Sequence, residues 1–371
     1  GLYDFPAEPP KPVIVHEAGN FGTSPKLDQI EMFQHNIKPF WFTAARDKVA
    51  NIGLLDEVDT WVRNSQRLYY LCHKLNMEDI RKHEYTSGHH WWLFQDYWTG
   101  SNGLVESYFR PKEHIEPAMV RRFVNDVVLL EDGLQWSYRS GEVVKTSILV
   151  SNFAQAPLGE ATLSWHVECD GNTLVSDSKT VAPPRPGAVT PLQRFEFTCP
   201  DVAGPRLATL HVSLRTPVRS VENAWTTWVY PREIAPVFEQ PLYATAECLG
   251  DLESLGAKPI PDSESLPTNA AYVTTTLSRK LVDAVNGGAC LVLLNSPELL
   301  PAVNNRFKTT WWLGSPNDCN VGTVVYDNPV TEGMAPEGWC DGGWYRLLEG
   351  AQAYLLADAP ARPDVLVRGI D

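Results

Sequence analysis

The apolar run from Pro12 to Val15 delivers His16 and Glu17 to a loop that contains Gly19. A carboxylate at the end of a buried parallel strand occupies the place where barrel enzymes carry their reacting groups. The chemistry it suits is acetal cleavage by double displacement. That reaction needs an ionised carboxylate on a rigid element, within bonding distance of the anomeric carbon. The competing role for Glu17 is a structural ion pair with Arg46 or Arg63. His16 either steers Glu17, bonds substrate, or is a satisfied core histidine.

A second segment with chemistry in it runs from Gly88 to Trp98, GHHWWLFQDYW. Read as a strand over Trp91 to Phe94 and beyond, its alternation puts Trp92, Phe94 and Asp96 on one face and Trp91, Leu93 and Gln95 on the other. Trp92 is then the expected floor under a sugar ring, with Gln95 and Asp96 binding hydroxyls at the rim. His89 and His90 are adjacent, so on a strand they point to opposite faces and do not share a metal ion. No cofactor and no metal is expected. Between the two segments, residues 18 to 52 read as a long loop with Asn20, Phe21, Asn36, Trp41 and Arg46 interleaved. Loops longer than about 12 to 15 residues are usually functional or disordered, and this one is too aromatic for disorder. It is expected to wall the site, with Asn20 and Trp41 among the substrate contacts.

The elements that must hold these residues alternate between strand and helix. Leu54, Leu55, Val58, Trp61, Val62, Leu68, Tyr69, Cys72 and Leu75 recur at helical spacing. Asp56 and Glu57 fall in the first turn and His73 and Lys74 in the last, as the macrodipole favours. Residues 1–115 thus read as a β-loop-α-β unit. A whole eightfold barrel takes about 250 residues, so the expectation is its last two strands, with six more lying before Gly1.

From 116 to 235 the pattern becomes short period-two segments: 143–150, 161–167, 173–181, 193–198, 206–214 and 224–230. These predict an immunoglobulin-like β-sandwich, with the Pro-rich run Ala182 to Gly187 as a turn. Residues 236–371 read as an α/β accessory domain, with strands at 271–276 and 289–294 and short helices at 278–285 and 297–303. Gly287 and Gly288 precede a strand and form no phosphate loop. Cys290 has no nucleophile-elbow glycines around it. The fold class is therefore multidomain, α/β plus all-β.

Composition narrows the partners. At 371 residues and 43% hydrophobic, the chain has enough apolar material for two or three cores. A formal charge of −14 argues against nucleic acid and anionic membranes, whose phosphates demand clustered Lys and Arg. A neutral carbohydrate suits it better, and 13 Trp with 13 Tyr supply flat faces for sugar rings. The seven cysteines contain no C-x-x-C pair and read mostly as buried thiols; Cys169 and Cys199, near the ends of two expected strands, could meet across a sandwich, but sequence alone does not fix connectivity. No apolar run reaches the roughly 18 residues of a membrane span, and residues 1 to 20 carry no secretory pattern.

The HEAGNF stretch and the later WLFQDYW resemble the nucleophile strand and the final barrel strand of glycoside hydrolase family 2, which includes β-galactosidases, β-glucuronidases and β-mannosidases. The resemblance implies Glu17 as nucleophile and Trp92 beside the cleaved sugar. NAWTTWVYP, from Asn223 to Pro231, is similar to the end of the immunoglobulin-like domain that follows the barrel in large members. GTVVYDNPV, DGGWYRLL and PDVLVRGID resemble the amidotransferase-like accessory unit of some of them. Periplasmic or secreted placement follows from the resemblance alone. The family's acid/base Glu follows an Asn, and this sequence has no Asn-Glu dipeptide. Retention needs two carboxyl groups about 5 to 5.5 Å apart, so the second is expected outside this chain.

The leading expectation is a retaining β-glycosidase whose nucleophile half lies here and which is inactive alone. It would associate with the missing N-terminal part of the enzyme or with itself. Two alternatives stay open: a non-catalytic carbohydrate-binding or scaffolding module, and a different hydrolase that pairs Asp96 with Glu17.

Overall fold

Periodicity translates into structure most directly in the middle of the chain. The computed structural model describes residues 11–83, 85–98, 100–233, 239–294, 300–307, 322–356 and 364–369. The chain divides into two compact units, whose bounds along the sequence are 1–232 with 304–351 and 364–371, and 233–303 with 352–363.

In the first unit, β1 (Val13–Ala18) is followed by α1 (Phe40–Asn51) and the long α2 (Val58–Lys82), which returns the chain to β2 (Thr86–Trp91). β1 and β2 pair in parallel, so both carboxyl ends, Ala18 and Trp91, come side by side. Asp59 in the first turn of α2 and Arg81 and Lys82 in its last match the helix dipole. Among the described residues these two strands form a sheet of their own, and no closed barrel is present. The strand expected at 91–94 ends earlier. Trp91 is its last residue, because the pairing partner β1 ends at Ala18.

A short helix α3 (Pro117–Arg121) leads into the sandwich: β3 (Val127–Asp132), β4 (Ser137–Arg139), β5 (Val143–Asn152), β6 (Ala161–Cys169), β7 (Asn172–Val181), β8 (Ala188–Thr198), β9 (Arg206–Arg215) and β10 (Ser220–Tyr230). A three-stranded sheet, β3-β5-β8, faces a five-stranded one, β4-β10-β9-β6-β7. Val144, Ile148, Val150 and Phe197 of the first meet Leu163, Trp165, Val167, Leu210, Val212 and Leu214 of the second in one core. Each of the six expected strands forms, and Ala182 to Gly187 is irregular as its prolines require. Cys169 and Cys199 are both buried free thiols.

α2 is buried on more than one side. Glu78 accepts from Asn223 Nδ2 and Trp225 Nε1, both at 2.8 Å, and pairs with Lys74 one turn away. This pins the helix to β10, so residues before 115 and the sandwich share one unit.

The second unit carries β11 (Leu242–Ala244), α4 (Ala246–Leu252), β12 (Lys258–Pro259), β13 (Ala271–Thr274), α5 (Arg279–Asn286) and β14 (Cys290–Leu293). The four strands pair in parallel in the order β12-β11-β13-β14. The Ser278 hydroxyl caps α5 by accepting from Leu281 N. The helix expected at 297–303 lies partly outside the described residues, and its end belongs to β15 (Ala302–Asn304).

β16 (Val324–Val325), α6 (Tyr345–Leu348), β17 (Gln352–Tyr354) and β18 (Val367–Arg368) complete the chain. The expected accessory domain at 236–371 is thus shared between both units. Residues 339–344 rest on the sandwich: Asp341 accepts from Trp228 Nε1 at 2.8 Å. A Cβ at Gly342 would meet the Trp136 ring at 1.9 Å, so this contact requires glycine. The architecture is multidomain and rich in β-structure. No helix among the described residues is long and apolar enough to cross a membrane.

Candidate functional site

Glu17 is the penultimate residue of β1, and its backbone turns to φ 52°. A positive φ at a non-glycine residue costs of order 1–3 kcal/mol and is held only where surrounding structure imposes it. Here it swings the carboxylate off the strand into solvent, with 45% of the side chain exposed. His16 Nε2 lies 3.4 Å from Glu17 Oε1. Its other ring nitrogen, Nδ1, is 3.4 Å from His90 Nδ1, and the two rings meet edge to face at 5.6 Å. Glu17 takes neither of its expected structural partners. Arg46 binds Asp47, and Arg63 reaches Asn64 and the Glu337 carbonyl.

Trp92 follows β2 directly, and its amide donates to Ala18 O at 3.1 Å. This single bond ties the start of the WLFQDYW segment to the residue after Glu17. β2 ends at Trp91, so strand alternation stops there and the two predicted faces do not form. Phe94 and Trp98 are exposed, as are Phe109 and Phe40. Phe94 and Phe109 approach within 6.4 Å.

Asp96 has a structural place instead of the expected one at the rim. It is 4% exposed, and Lys112 beside it is 2% exposed. Lys112 Nζ donates to Asp96 Oδ1 at 3.0 Å and to Thr23 Oγ1 at 2.8 Å. Gly103 N and Ser101 Oγ donate to the two Asp96 oxygens at 2.6 and 2.9 Å. With both oxygens engaged and the side chain buried, Asp96 ties Ser101, Gly103 and Lys112 together and does not face solvent. Burial raises its pKa and lowers that of Lys112, each against the attraction of the other. The alternative hydrolase pairing of Asp96 with Glu17 loses its second carboxylate to this cluster. Gln95 is similarly engaged, donating to Ser107 O.

Asn20 sits beside the site and accepts from Asn102 Nδ2 at 3.4 Å. Asn102 also donates to Phe21 O at 3.3 Å, and its own carbonyl accepts from Tyr69 OH at 2.9 Å. Trp41 lies on α1, not in a loop; Trp41 N donates to Trp98 O at 3.3 Å, bringing that helix to the aromatic rim. The structure therefore joins Glu17, His16 and, through Ala18, the Trp92 backbone, ties Asn20 to Asn102 and Trp41 to Trp98, and holds Asp96 in a separate buried cluster.

Two histidines to which the sequence reading gave no part in substrate binding lie beside these residues. His90 completes the imidazole pair with His16. His73 lies under the loop, stacked on Trp91 at 4.1 Å and edge-on to Tyr69 and Phe21. It is fully buried, and burial, then Lys112, holds its pKa well below the usual histidine range. Gly19, at φ 73°, fits over this ring because a Cβ there would meet His73 Cε1 at 2.4 Å. The expected position of His73 in the last turn of the helix gave no sign of that contact, and α2 in fact runs on to Lys82. His89, meanwhile, is held below the usual histidine pKa range by burial, then Arg81 and His90.

A family model described as a domain of unknown function, DUF8488, matches residues 142–231, within the sandwich. No curated protein matches the chain. The chain is similar to the solved CARDB domain of a Pyrococcus furiosus protein in complex with di-metal ions: 12% identity, covering 29% of this chain and 87% of that one, TM-score 0.20. It is similar to the sporulation control protein Spo0M of Bacillus subtilis at 12% identity over 30% of this chain and 51% of that one, TM-score 0.21. A putative β-galactosidase of Bacteroides fragilis shows 11% identity over 45% of this chain and 27% of that one, TM-score 0.21. At these scores the likenesses decide neither fold nor chemistry.

Proposed function

We propose that the chain carries the nucleophile half of a retaining β-glycosidase of the glycoside hydrolase family 2 type, with β1 and β2 as the closing strands of its barrel and α2 as the helix between them. The observation that carries this reading is Glu17 itself: an exposed carboxylate, turned outward by a positive φ, at the paired carboxyl ends of two parallel strands. The motif resemblance around Glu17 and Trp92 supports it independently. Glu17 Oε attacks the anomeric carbon, the C–O bond to the aglycone breaks, and the leaving oxygen takes a proton from a carboxylic acid supplied by polypeptide outside these residues. Water, activated by the same group, then cleaves the glycosyl ester. His16 and His90 orient the nucleophile, and Trp92 with the exposed aromatic rim receives the sugar faces.

The leaving group offers a direct test. A 2,4-dinitrophenolate departs without protonation, so 2,4-dinitrophenyl β-glycosides bypass the acid that the chain lacks. Offered the galactoside, glucoside, mannoside and glucuronide, the chain should accumulate a glycosyl adduct on the peptide holding Glu17 with one of them. Glu17→Gln should abolish it. A longer gene product bearing an Asn-Glu pair should in addition turn over simple aryl glycosides. A second reading, a carbohydrate-binding module, is favoured by the exposed Phe94, Trp98 and Phe109. It predicts glycan affinity unchanged by Glu17→Gln and no adduct from any glycoside, which would reject the nucleophile assignment.

A further inference from the structure

The outer face of the five-stranded sheet carries a constellation unrelated to Glu17. Along β6 and β9, Trp165, Val167, Leu210 and Val212 point into the sandwich core. Alternation therefore sends His166, Glu168 and His211 outward. Register puts His166 directly opposite His211. Their rings lie nearly parallel, 15° apart, with centroids at 4.7 Å. Glu168 is two residues along β6 on the same face. One donor atom from each of the three side chains lies within 4.8 Å of the other two.

We propose that His166, Glu168 and His211 form a three-ligand site for a divalent transition metal of the zinc type. Two imidazoles and a carboxylate are a donor set that zinc accepts, leaving its remaining position for water or a further ligand. Zinc–nitrogen and zinc–oxygen bonds near 2.0–2.2 Å bring such donors about 3.3–3.5 Å apart in a tetrahedron. Small side-chain rotations suffice to close the observed spacing. The scaffold suits the task, because both histidines stand on central strands of a paired sheet and their positions are fixed by backbone register.

The neighbours leave room. His166 is flanked on β7 by Ser176, and His211 on β10 by Ala224. His166 and His211 line a depression whose charged members are Arg122, Asp177 and Glu222. The two acids offset the one cation, so the field at the site does not repel a metal.

Metal-stripped full chain should take up one equivalent of Zn²⁺ by titration calorimetry that His166→Gln/His211→Gln loses. Co²⁺ in the same place should give the strong visible bands of a four-coordinate ion, absent from the double variant. Glu168→Gln, on an exposed side chain, should weaken Zn²⁺ by about tenfold or more while leaving the melting temperature of the metal-free chain unchanged. His16→Gln/His90→Gln serves as the competing location. Equal zinc affinity and stoichiometry in wild type and the His166/His211 variant would overturn the site, as would loss of binding in the His16/His90 variant alone. If the double histidine variant does not fold, the Glu168→Gln titration decides, and an unchanged affinity there rejects the proposal.

Discussion

Two carboxylates 79 positions apart in the chain, Glu17 and Asp96, have opposite surroundings and should answer opposite assays. Asp96 and Lys112 are a buried pair with further bonds to Ser101, Gly103 and Thr23. Asp96→Asn leaves the Lys112 cation buried without a counter-charge. Breaking such a pair costs about 3–5 kcal/mol, so urea denaturation should show a loss of that order. Glu17 is exposed and bears no comparable network. Glu17→Gln should leave the denaturation midpoint within about 0.5 kcal/mol of wild type, while removing the glycosyl adduct. The reverse pattern, a stable Asp96→Asn and an unfolded Glu17→Gln, would exchange their assigned roles.

The 93–112 loop and α2 show which elements the residues demand. Gly103 packs where a Cβ would meet Asp96 N at 2.1 Å and Gln95 C at 2.2 Å. Both atoms are backbone, so nothing can rotate aside. Gly103→Ala should therefore destabilise well beyond Gly171→Ala, which has open space and only its φ of 71° to resist; the latter costs about 1–3 kcal/mol. Comparable melting temperatures for the two variants would contradict the close approach. α2 and the sandwich strands were legible in the sequence because their apolar periods are long and uninterrupted. β2 was misplaced by several residues: the aromatic run after it looks like a strand, whereas the real strand, TSGHHW, contains a glycine and two histidines and exists through pairing with β1. α1 passed for loop because it begins after Pro39 with no side-chain cap. Asp96 was read as a rim residue because its partner Lys112 lies 16 positions on, and no local signal joins them. His166 and His211 come together only through strand register.

At the scale of the molecule, burial of hydroxyls and thiols in the first unit sets its alkaline limit. Burial raises the Cys199 thiol to about 11 and the Tyr70 and Tyr326 phenols to about 12. Tyr69 and Cys340 are pushed upward further by the same cause. Each folded pKa exceeds its unfolded value, so at alkaline pH the native state holds protons that the unfolded chain has released. Stability then falls with rising pH, starting near the unfolded values of about 9 to 10 and continuing through the folded ones. Below about pH 8 these groups contribute no slope. The second unit contains one such raised group among its described residues, Tyr272. Calorimetric scans under reducing conditions should therefore resolve two transitions. Between about pH 8 and about pH 11 the one belonging to the sandwich and α2 should move down more steeply than that of the parallel-sheet unit. Cys199→Ala removes one titrating group and should reduce that slope, although its cavity lowers the starting stability. Parallel downward shifts of both transitions, unaltered in Cys199→Ala, would mean that general charge repulsion on a chain of net charge −14 governs alkaline unfolding instead.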